Sequence, residues 1–244
     1  MRQRLLALLL AAAATAATAD RPRVAPDRVI ALLALPDLLG EQGCAPREPK
    51  AVRVFADPAL ARTIGRLRAA PTETDVDCAA PRASWHPDTR GASGAELPTE
   101  EFDYERPAAI VLETRAGAAR IVLPERRSGW VAVAADEHLL GLERLYRDAL
   151  SYLDHDWSGV LYAEPADRPS RRAVDPRWRH RIGRVNVVKV VRVRVLPDNT
   201  WIEIELGSAA GCADESEPLP QQQGWIPAYG RSGWPLVWFH SRGC

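Results

Sequence analysis

The sequence predicts a mainly β protein made of two small units joined by one helix. Three patterns support this prediction: a weak internal repeat, β-branched runs in both halves, and one segment with apolar residues at helical spacing. The 244 residues are 46% hydrophobic and 26% charged, which are ordinary proportions for a folded globular chain. The length is sufficient for one large domain or two small ones.

Residues 1–19 have the order of an export signal. Arg2 and Arg4 precede a ten-residue apolar run, and Ala17 and Ala19 supply the small residues expected before a cleavage site. The run is too short to cross a bilayer, which needs about 20 residues. We therefore expect a periplasmic or secreted protein that has no integral membrane segment after cleavage of the signal.

The charges of the chain are balanced. There are 32 Lys and Arg residues and 32 Asp and Glu residues, and removal of the signal with its two arginines leaves a net charge of about −2. This balance gives no electrostatic reason to expect nucleic acid or an anionic membrane as a partner.

Export also determines how the four cysteines are interpreted, because oxidising compartments favour disulfides over free thiols. Three pairings are possible, and the simplest joins Cys44 to Cys78 and Cys212 to Cys244, within each half. Each bridge would stabilise its half by about 3 to 4 kcal/mol in the chain-entropy model. No C-x-x-C motif or nearby histidine supports a metal site or a nucleophilic thiol, so we expect no metal and no cofactor.

The internal repeat joins the two halves. Residues 52–58 and 159–165 carry an aromatic residue, Ala, an acid and Pro in register, 107 residues apart. Each segment is predicted to be a short strand that runs into a turn. Farther along, each half reaches a Gly-Trp pair followed by an apolar residue, at residues 129–131 and 224–226. The two halves therefore carry the same motifs in the same order.

Between these motifs lie runs that are typical of strands. Residues 108–113 and 120–123 in the first half, and 185–196 and 201–206 in the second, are enriched in β-branched residues. Residues 197–200, Pro-Asp-Asn-Thr, form a turn signal that makes the second pair a hairpin.

The remaining segments define the predicted domain organisation. Apolar residues at spacings of three and four predict a connector helix over residues 136–153, between a first unit at 20–135 and a second unit at 154–244. Within the first unit, residues 72–106 are rich in Pro, Gly, Ser, Thr and acids, and are predicted to form a long loop.

Three motifs together resemble a known family: V-x-V-aromatic-A-x-P, the strand Ile64-Gly65-Arg66-Leu67, and Gly-Trp-Val after a hairpin. The pattern is similar to that of bacterial Src-homology-3-like (SH3-like, SH3b) domains, here in tandem, over residues 52–133 and from 159 to the end. The resemblance implies two small, strongly bent β-barrels joined by a helix. It also implies a binding or scaffolding module, often attached to cell-wall proteins, and it does not imply catalysis.

The C-terminal segment is the richest in aromatic residues. Flat rings with a polar rim suit sugar rings, proline-rich strands or peptide stems. The alternative is that part of this segment closes the second barrel and fills its core. The candidate ligand contacts are Trp201, Trp225, Tyr229, Trp234 and Trp238.

Catalysis has weaker support in the sequence. Asp154-His155-Asp156 is the one tight titratable cluster, but neighbouring side chains diverge on a strand or a helix, so a polar turn is the simpler interpretation. No serine-hydrolase elbow, phosphate loop or dinucleotide motif is present. We expect a non-catalytic module that binds a cell-wall component or a protein partner. The alternatives are an exported hydrolase that uses His155 on a cell-wall or ester substrate, and a subunit of a larger assembly.

Overall fold

The described part of the chain consists mainly of β-strands, as the sequence predicts. The computed structural model describes residues 27–40, 48–69, 82–89, 93–133, 135–147, 149–154, 156–166, 170–172, 174, 187–197, 199–206 and 221–241. Within these residues the helices are short: α1 covers Pro36–Leu39, α2 covers Leu142–Tyr146, and single 3₁₀ turns cover Pro124–Arg126 and Asp136–His138. Neither helix in this part of the chain has the length and apolarity needed to span a membrane.

Ten strands form the first sheet. They are β1 (Ala31–Leu33), β2 (Val52–Phe55), β3 (Thr63–Ala69), β4 (Ala83–Pro87), β5 (Ala95–Glu96), β6 (Thr99–Asp103), β7 (Arg106–Arg115), β8 (Ala118–Leu123), β9 (Arg127–Ala132) and β10 (Leu139–Gly141). Their order across the sheet is β10-β1-β7-β8-β9-β2-β3-β4-β5, and β6 pairs with β7. All the pairings are antiparallel.

The first sheet curls back on its own strand β7. Ala109 in β7 pairs with Leu33 of β1 on one edge and with Thr99 of β6 on the other. Val111 likewise lies between β1 and β8. Because a strand has only two edges, β6 and β8 must share one edge of β7. The β5–β6 segment therefore brings the far end of the sheet back to β7.

This curl encloses the first core. Alternate residues of β7 and β8, among them Val111 and Ile121, are fully buried there together with Leu67 and Trp85 of the strands opposite. A Cβ on Gly65 would lie 2.4 Å from the Trp85 ring, so only glycine at this position leaves room for the indole.

Seven strands form the second sheet. They are β11 (Ser151–Leu153), β12 (Leu161–Tyr162), β13 (Arg171–Arg172), β14 (Val187–Val195), β15 (Thr200–Leu206), β16 (Gln222–Pro227) and β17 (Val237–Phe239). Their order is β17-β11-β14-β15-β16-β12-β13, again antiparallel throughout. The predicted hairpin is confirmed as β14 and β15, closed by the Leu196 amide, which donates to the Asn199 carbonyl at 2.8 Å.

The internal repeat in the sequence corresponds to a repeat in strand order. When β17 is matched with β10, the order β17-β11-β14-β15-β16-β12-β13 of the second sheet corresponds strand for strand to β10-β1-β7-β8-β9-β2-β3 of the first. The repeated motifs occupy equivalent places, because Phe55 pairs with Trp130 of the first Gly-Trp motif and Tyr162 pairs with Trp225 of the second. In each unit, the strand that carries the aromatic-Ala-acid-Pro motif therefore lies beside the strand that carries Gly-Trp.

The predicted connector helix is wrong. Residues 136–153 contain a 3₁₀ turn, then β10, then the five residues of α2, then β11. β10 pairs with β1 as the last strand of the first unit, and β11 pairs with β17 as the first strand of the second. Edge pairing therefore overrides the helical spacing of the leucines, and Gly141 inside the segment already opposes a continuous helix by about 1 kcal/mol. The first unit extends to Gly141, beyond the predicted boundary at 135.

The predicted loop at residues 72–106 also contains secondary structure. β4, β5 and β6 lie within it, and they are the strands that return the first sheet to β7. Turn-forming residues here mark short strands at tight bends rather than one long loop.

Some sequence predictions concern residues outside the described part of the chain. These are the export signal at residues 1–19, the residue His155, and all four cysteines, Cys44, Cys78, Cys212 and Cys244. They remain predictions.

The core of the second unit is formed by residues of both units. β1 and β7 are buried on both faces: Leu33 and Val111 face the first core, whereas Leu32 and Ile110 belong to a second core. That second core also holds the apolar residues of the second sheet, such as Ile204. The first unit thus supplies one wall of the core of the second, and the expectation of two independently packed units is corrected to one shared structure.

The N-terminal end of β1 is attached to the second unit by the backbone. The Val29 amide donates to the Gly233 carbonyl at 3.0 Å. Gly233 has a φ of +84°, and a Cβ there would lie 2.1 Å from the Asp27 carbonyl oxygen. On the first unit, Arg120 binds the Asp27 carboxylate with Nη2 at 2.8 Å from Oδ1. Glycine at 233 therefore permits the close approach of the two units.

We predict that Gly233→Ala destabilises the protein more than Gly117→Ala. Gly117 has a φ of +71° and open space around its Cβ position, so it carries the backbone cost of a left-handed alanine without the clash. That backbone cost is about 1 to 3 kcal/mol. Urea unfolding should show an additional loss of at least about 1 kcal/mol for Gly233→Ala. Equal losses in the two variants would show that the contact with Asp27 contributes nothing.

Candidate functional site: an aromatic surface beside a cavity between the units

The five aromatic residues predicted as ligand contacts divide into a buried pair and an accessible group. Trp201 and Trp225 are each 4% exposed. Tyr229 and Trp238 are partly buried, and Trp234 is 37% exposed. Trp201 and Trp225 are therefore not part of an exposed ligand surface, and the accessible candidates are Tyr229, Trp234 and Trp238.

The buried pair lies on the face of the second sheet that points away from its core. The Tyr162 ring meets the Trp201 ring edge-on at 5.4 Å, and the Arg192 guanidinium lies 5.1 Å from the centre of the Trp225 ring. Arg192 is held there by Glu203, through a hydrogen bond of 2.6 Å. Alternation along a strand predicts the face of a side chain but not what covers it, which is why the sequence did not separate these rings from the exposed ones.

The accessible rings form one continuous patch, which we call the aromatic surface: Tyr152, Trp234, Trp238 and His240. Tyr152 of β11 pairs with Trp238 of β17, so their side chains share a face of the sheet. The Trp234 and Trp238 rings meet edge-on at 5.6 Å, and the Tyr152 and His240 rings lie 4.9 Å apart. This arrangement presents ring faces and edges to a ligand at a low cost in conformational entropy.

A hydrogen-bonded loop over residues 228–236 positions Tyr229 and Trp234. The Ala228 amide donates to the Thr200 carbonyl, and the Leu236 amide donates to the Ala228 carbonyl, each at 2.8 Å. Inside the loop, the Gly230 amide donates to the Trp234 carbonyl at 2.9 Å. The exposed Trp234 ring therefore sits on a backbone that is already ordered.

A cavity of about 310 Å³ lies beside this loop, between the two units. We call it the junction cavity. Its lining residues are Arg28, Asn199, Thr200, Pro227, Tyr229, Gly230, Arg231 and Gly233. The volume lies at the small end of the range of known ligand pockets.

Tyr229 is the central polar residue of the junction cavity. The Arg28 guanidinium lies 5.3 Å from the centre of its ring, and Thr200 also lines the cavity. Burial raises the pKa of Tyr229 above its ordinary value, although Arg28 and Thr200 partly oppose that shift. The hydroxyl is therefore protonated at neutral pH. No sequence pattern indicated Arg28, which lies 201 positions before Tyr229.

A half-buried acid adjoins the aromatic surface from the first unit. Glu100 of β6 pairs with Ala108, whose side chain belongs to the core shared by the units. Burial raises the pKa of Glu100. Burial also raises the pKa of Tyr152, and the nearby carboxylates of Glu100 and Asp154 add to that shift. No pattern in the sequence predicted that Glu100 approaches Tyr152.

The described residues give no arrangement that is typical of catalysis. The Asp154 carboxylate accepts the Asp156 amide at 2.9 Å, and the Asp154 carbonyl accepts the Trp157 amide at 3.2 Å, so these residues form the polar turn considered in the sequence analysis. His86 bonds to the Ser84 hydroxyl at 2.8 Å, which gives it a structural partner. In the described ranges, no group of three or more His, Cys, Asp or Glu side chains is placed to hold a metal ion.

A second cavity of about 370 Å³ lies at the first sheet, between the start of β3, the end of β4 and the start of β9. Its floor includes Trp85, whose buried Nε1 has no hydrogen-bond partner among the described residues. This cavity adjoins none of the accessible rings. The junction cavity is lined by Gly233, which directly precedes Trp234 of the aromatic surface, and it is therefore the candidate functional site.

No family model matches the chain, and neither a curated protein nor a solved structure matches it. The functional conclusion therefore depends on the geometry described above.

We predict that Glu100→Gln stabilises the protein at neutral pH. Because the folded pKa of Glu100 is raised above the unfolded value near 4.5, the ionised carboxylate costs free energy of folding once the pH rises above that value. Below about pH 4 the native side chain is protonated in both states, and the gain should vanish. Thermal unfolding from pH 3.5 to 8 measures the difference.

The matched control for this prediction is Glu143→Gln, since Glu143 is exposed on α2. A pH-dependent gain of the same size in the control, or its absence in Glu100→Gln, would contradict the assignment of a buried acid to position 100.

Proposed function

We propose that this chain is an exported, non-catalytic binding module of SH3-like type. It recognises a cell-wall component or a protein partner through the aromatic surface and the junction cavity. The observation that carries the proposal is the exposed Trp234, which is packed edge-on against Trp238 on an ordered loop beside a cavity. Rings held in this way are typical of binding sites, because little side-chain freedom is lost when a ligand binds.

The repeated strand order supports the SH3-like part of the proposal. In each unit the last strand lies beside the first, β10 beside β1 and β17 beside β11. This pairing of the first and last strands is a feature expected of a small, strongly bent barrel. The Gly-Trp motif and the aromatic-Ala-acid-Pro motif are neighbours in both units, which supports descent of the two units from one pattern.

Export is supported by the order of residues 1–19, in which a basic start, a short apolar run and small residues follow one another. The alternative function, hydrolysis that uses His155, receives no support from its neighbours. Asp154 Oδ1 accepts the Asp156 amide, which is a hydrogen bond typical of a polar turn.

We predict that Trp234→Ala weakens binding to purified murein by about tenfold or more, a loss of about 1.4 kcal/mol. The reason is that Trp234 is the most exposed Trp or Tyr ring of the aromatic surface. The melting temperature should change little, because Trp234 belongs to no core cluster. Cosedimentation with murein sacculi measures the bound fraction.

Tyr104→Ala is the control, since Tyr104 is 59% exposed on the turn between β6 and β7 and is not one of the four rings of the aromatic surface. It should bind like the native protein. A native protein that binds neither murein nor any partner from a periplasmic extract, or an equal loss in both variants, would remove the proposed function.

A further inference from the structure

The charged side chains that line the junction cavity are all cationic. Among its described lining residues, Arg28 and Arg231 carry charge, and none is an acid. The other polar side chains, Asn199, Thr200 and Tyr229, can each donate a hydrogen bond. The cavity therefore offers several donors and two positive charges to whatever enters it.

The acid that directly precedes Arg28 in sequence has another partner. The Asp27 carboxylate binds Arg120 through contacts of 2.8 and 3.3 Å. The Asp156 carboxylate approaches the lining residue Gly230, with Oδ2 3.7 Å from the position that a Cβ of Gly230 would take, but Asp156 is not among the lining residues. Within the described ranges, the ion pairs involve neither Arg28 nor Arg231. Arg28 instead packs over the Tyr229 ring, which fixes its guanidinium at the cavity.

Guanidinium groups suit planar anions, because their N–H donors match the two oxygens of a carboxylate. The protonated Tyr229 hydroxyl is a further donor at the same place. The volume of about 310 Å³ accommodates such a group together with one or two residues of a peptide. Trp234 follows the lining residue Gly233 directly, so the rest of a bound chain would extend over the aromatic surface.

We infer that the junction cavity binds the free carboxylate of a peptide, with Arg28 and Arg231 as its partners. This inference rests on the proposed function and names the chemistry that the site selects. The carboxylate can come from a cell-wall peptide stem or from the C-terminus of a protein, and the two sources share this chemistry.

The test compares two probes that differ only in the C-terminal group: N-acetyl-alanyl-alanine, which ends in a carboxylate, and its neutral C-terminal amide. Binding to the full chain is followed by calorimetry and by the indole N–H signals of ¹⁵N-labelled protein. We expect the acid to bind about tenfold or more tightly than the amide. Arg28→Gln and Arg231→Gln should each remove most of that preference, and Arg28→Lys should keep part of it.

Arg53→Gln is the matched control. The Arg53 guanidinium lies 5.8 Å from the centre of the Phe55 ring in the first unit, much as Arg28 lies over Tyr229, but it is remote from the cavity. This variant should retain the preference for the acid. Arg231 lies on an exposed turn, so Arg231→Gln should fold normally. The Arg231→Gln variant therefore tests the site even if Arg28→Gln fails to fold.

The outcomes separate this inference from the proposed function. Equal binding of acid and amide, with both weakened by Trp234→Ala, would overturn the carboxylate site and leave the binding module intact. Inorganic phosphate that displaces the peptide acid more strongly than acetate does would also overturn it in favour of a phosphate site. Failure of both probes and of murein to bind would remove the proposed function as well. Soluble muropeptides with D-configured ends, tested against L-configured peptides, identify the source of the carboxylate.

Discussion

The structure depends on burial of both faces of β1 and β7. Leu32 and Ile110 face the second unit, and Leu33 and Val111 face the first core, so these two strands are packed from both sides. At about 25 cal/mol per Å² of apolar surface, a strand that is buried on both faces contributes more than one that faces water on one side. Each unit alone would leave one of these apolar faces exposed, which accounts for their packing into one structure.

The candidate site follows from this packing rather than from either unit. Arg28 precedes β1, and Tyr229 lies between β16 and β17, so the junction cavity exists only while the two units are in contact. The Val29 and Gly233 hydrogen bond fixes that contact at the entrance of the cavity. Contact between the two units thereby forms a cavity that neither unit would have alone.

Local patterns predicted what is local, and contacts between distant segments escaped them. Turn residues and β-branched runs predicted the hairpin of β14 and β15, and the shared motifs predicted the repeat, which the strand order confirms. Leucines at helical spacing predicted a helix at residues 136–153, where β10 and β11 instead satisfy the open edges of two sheets. Burial of Trp201 and the approach of Arg28 to Tyr229 depend on neighbours far away in sequence, so no local pattern contained them.

Native-state hydrogen exchange of the Val29 amide tests the central claim most directly, since this N–H bonds to Gly233 of the other unit. If the units form one cooperative structure around the site, its opening free energy should equal that of the protected amides in β7 and in β15. An amide at Val29 that exchanges close to its unprotected rate, with different opening free energies for β7 and β15, would show two units that merely touch and would contradict the account.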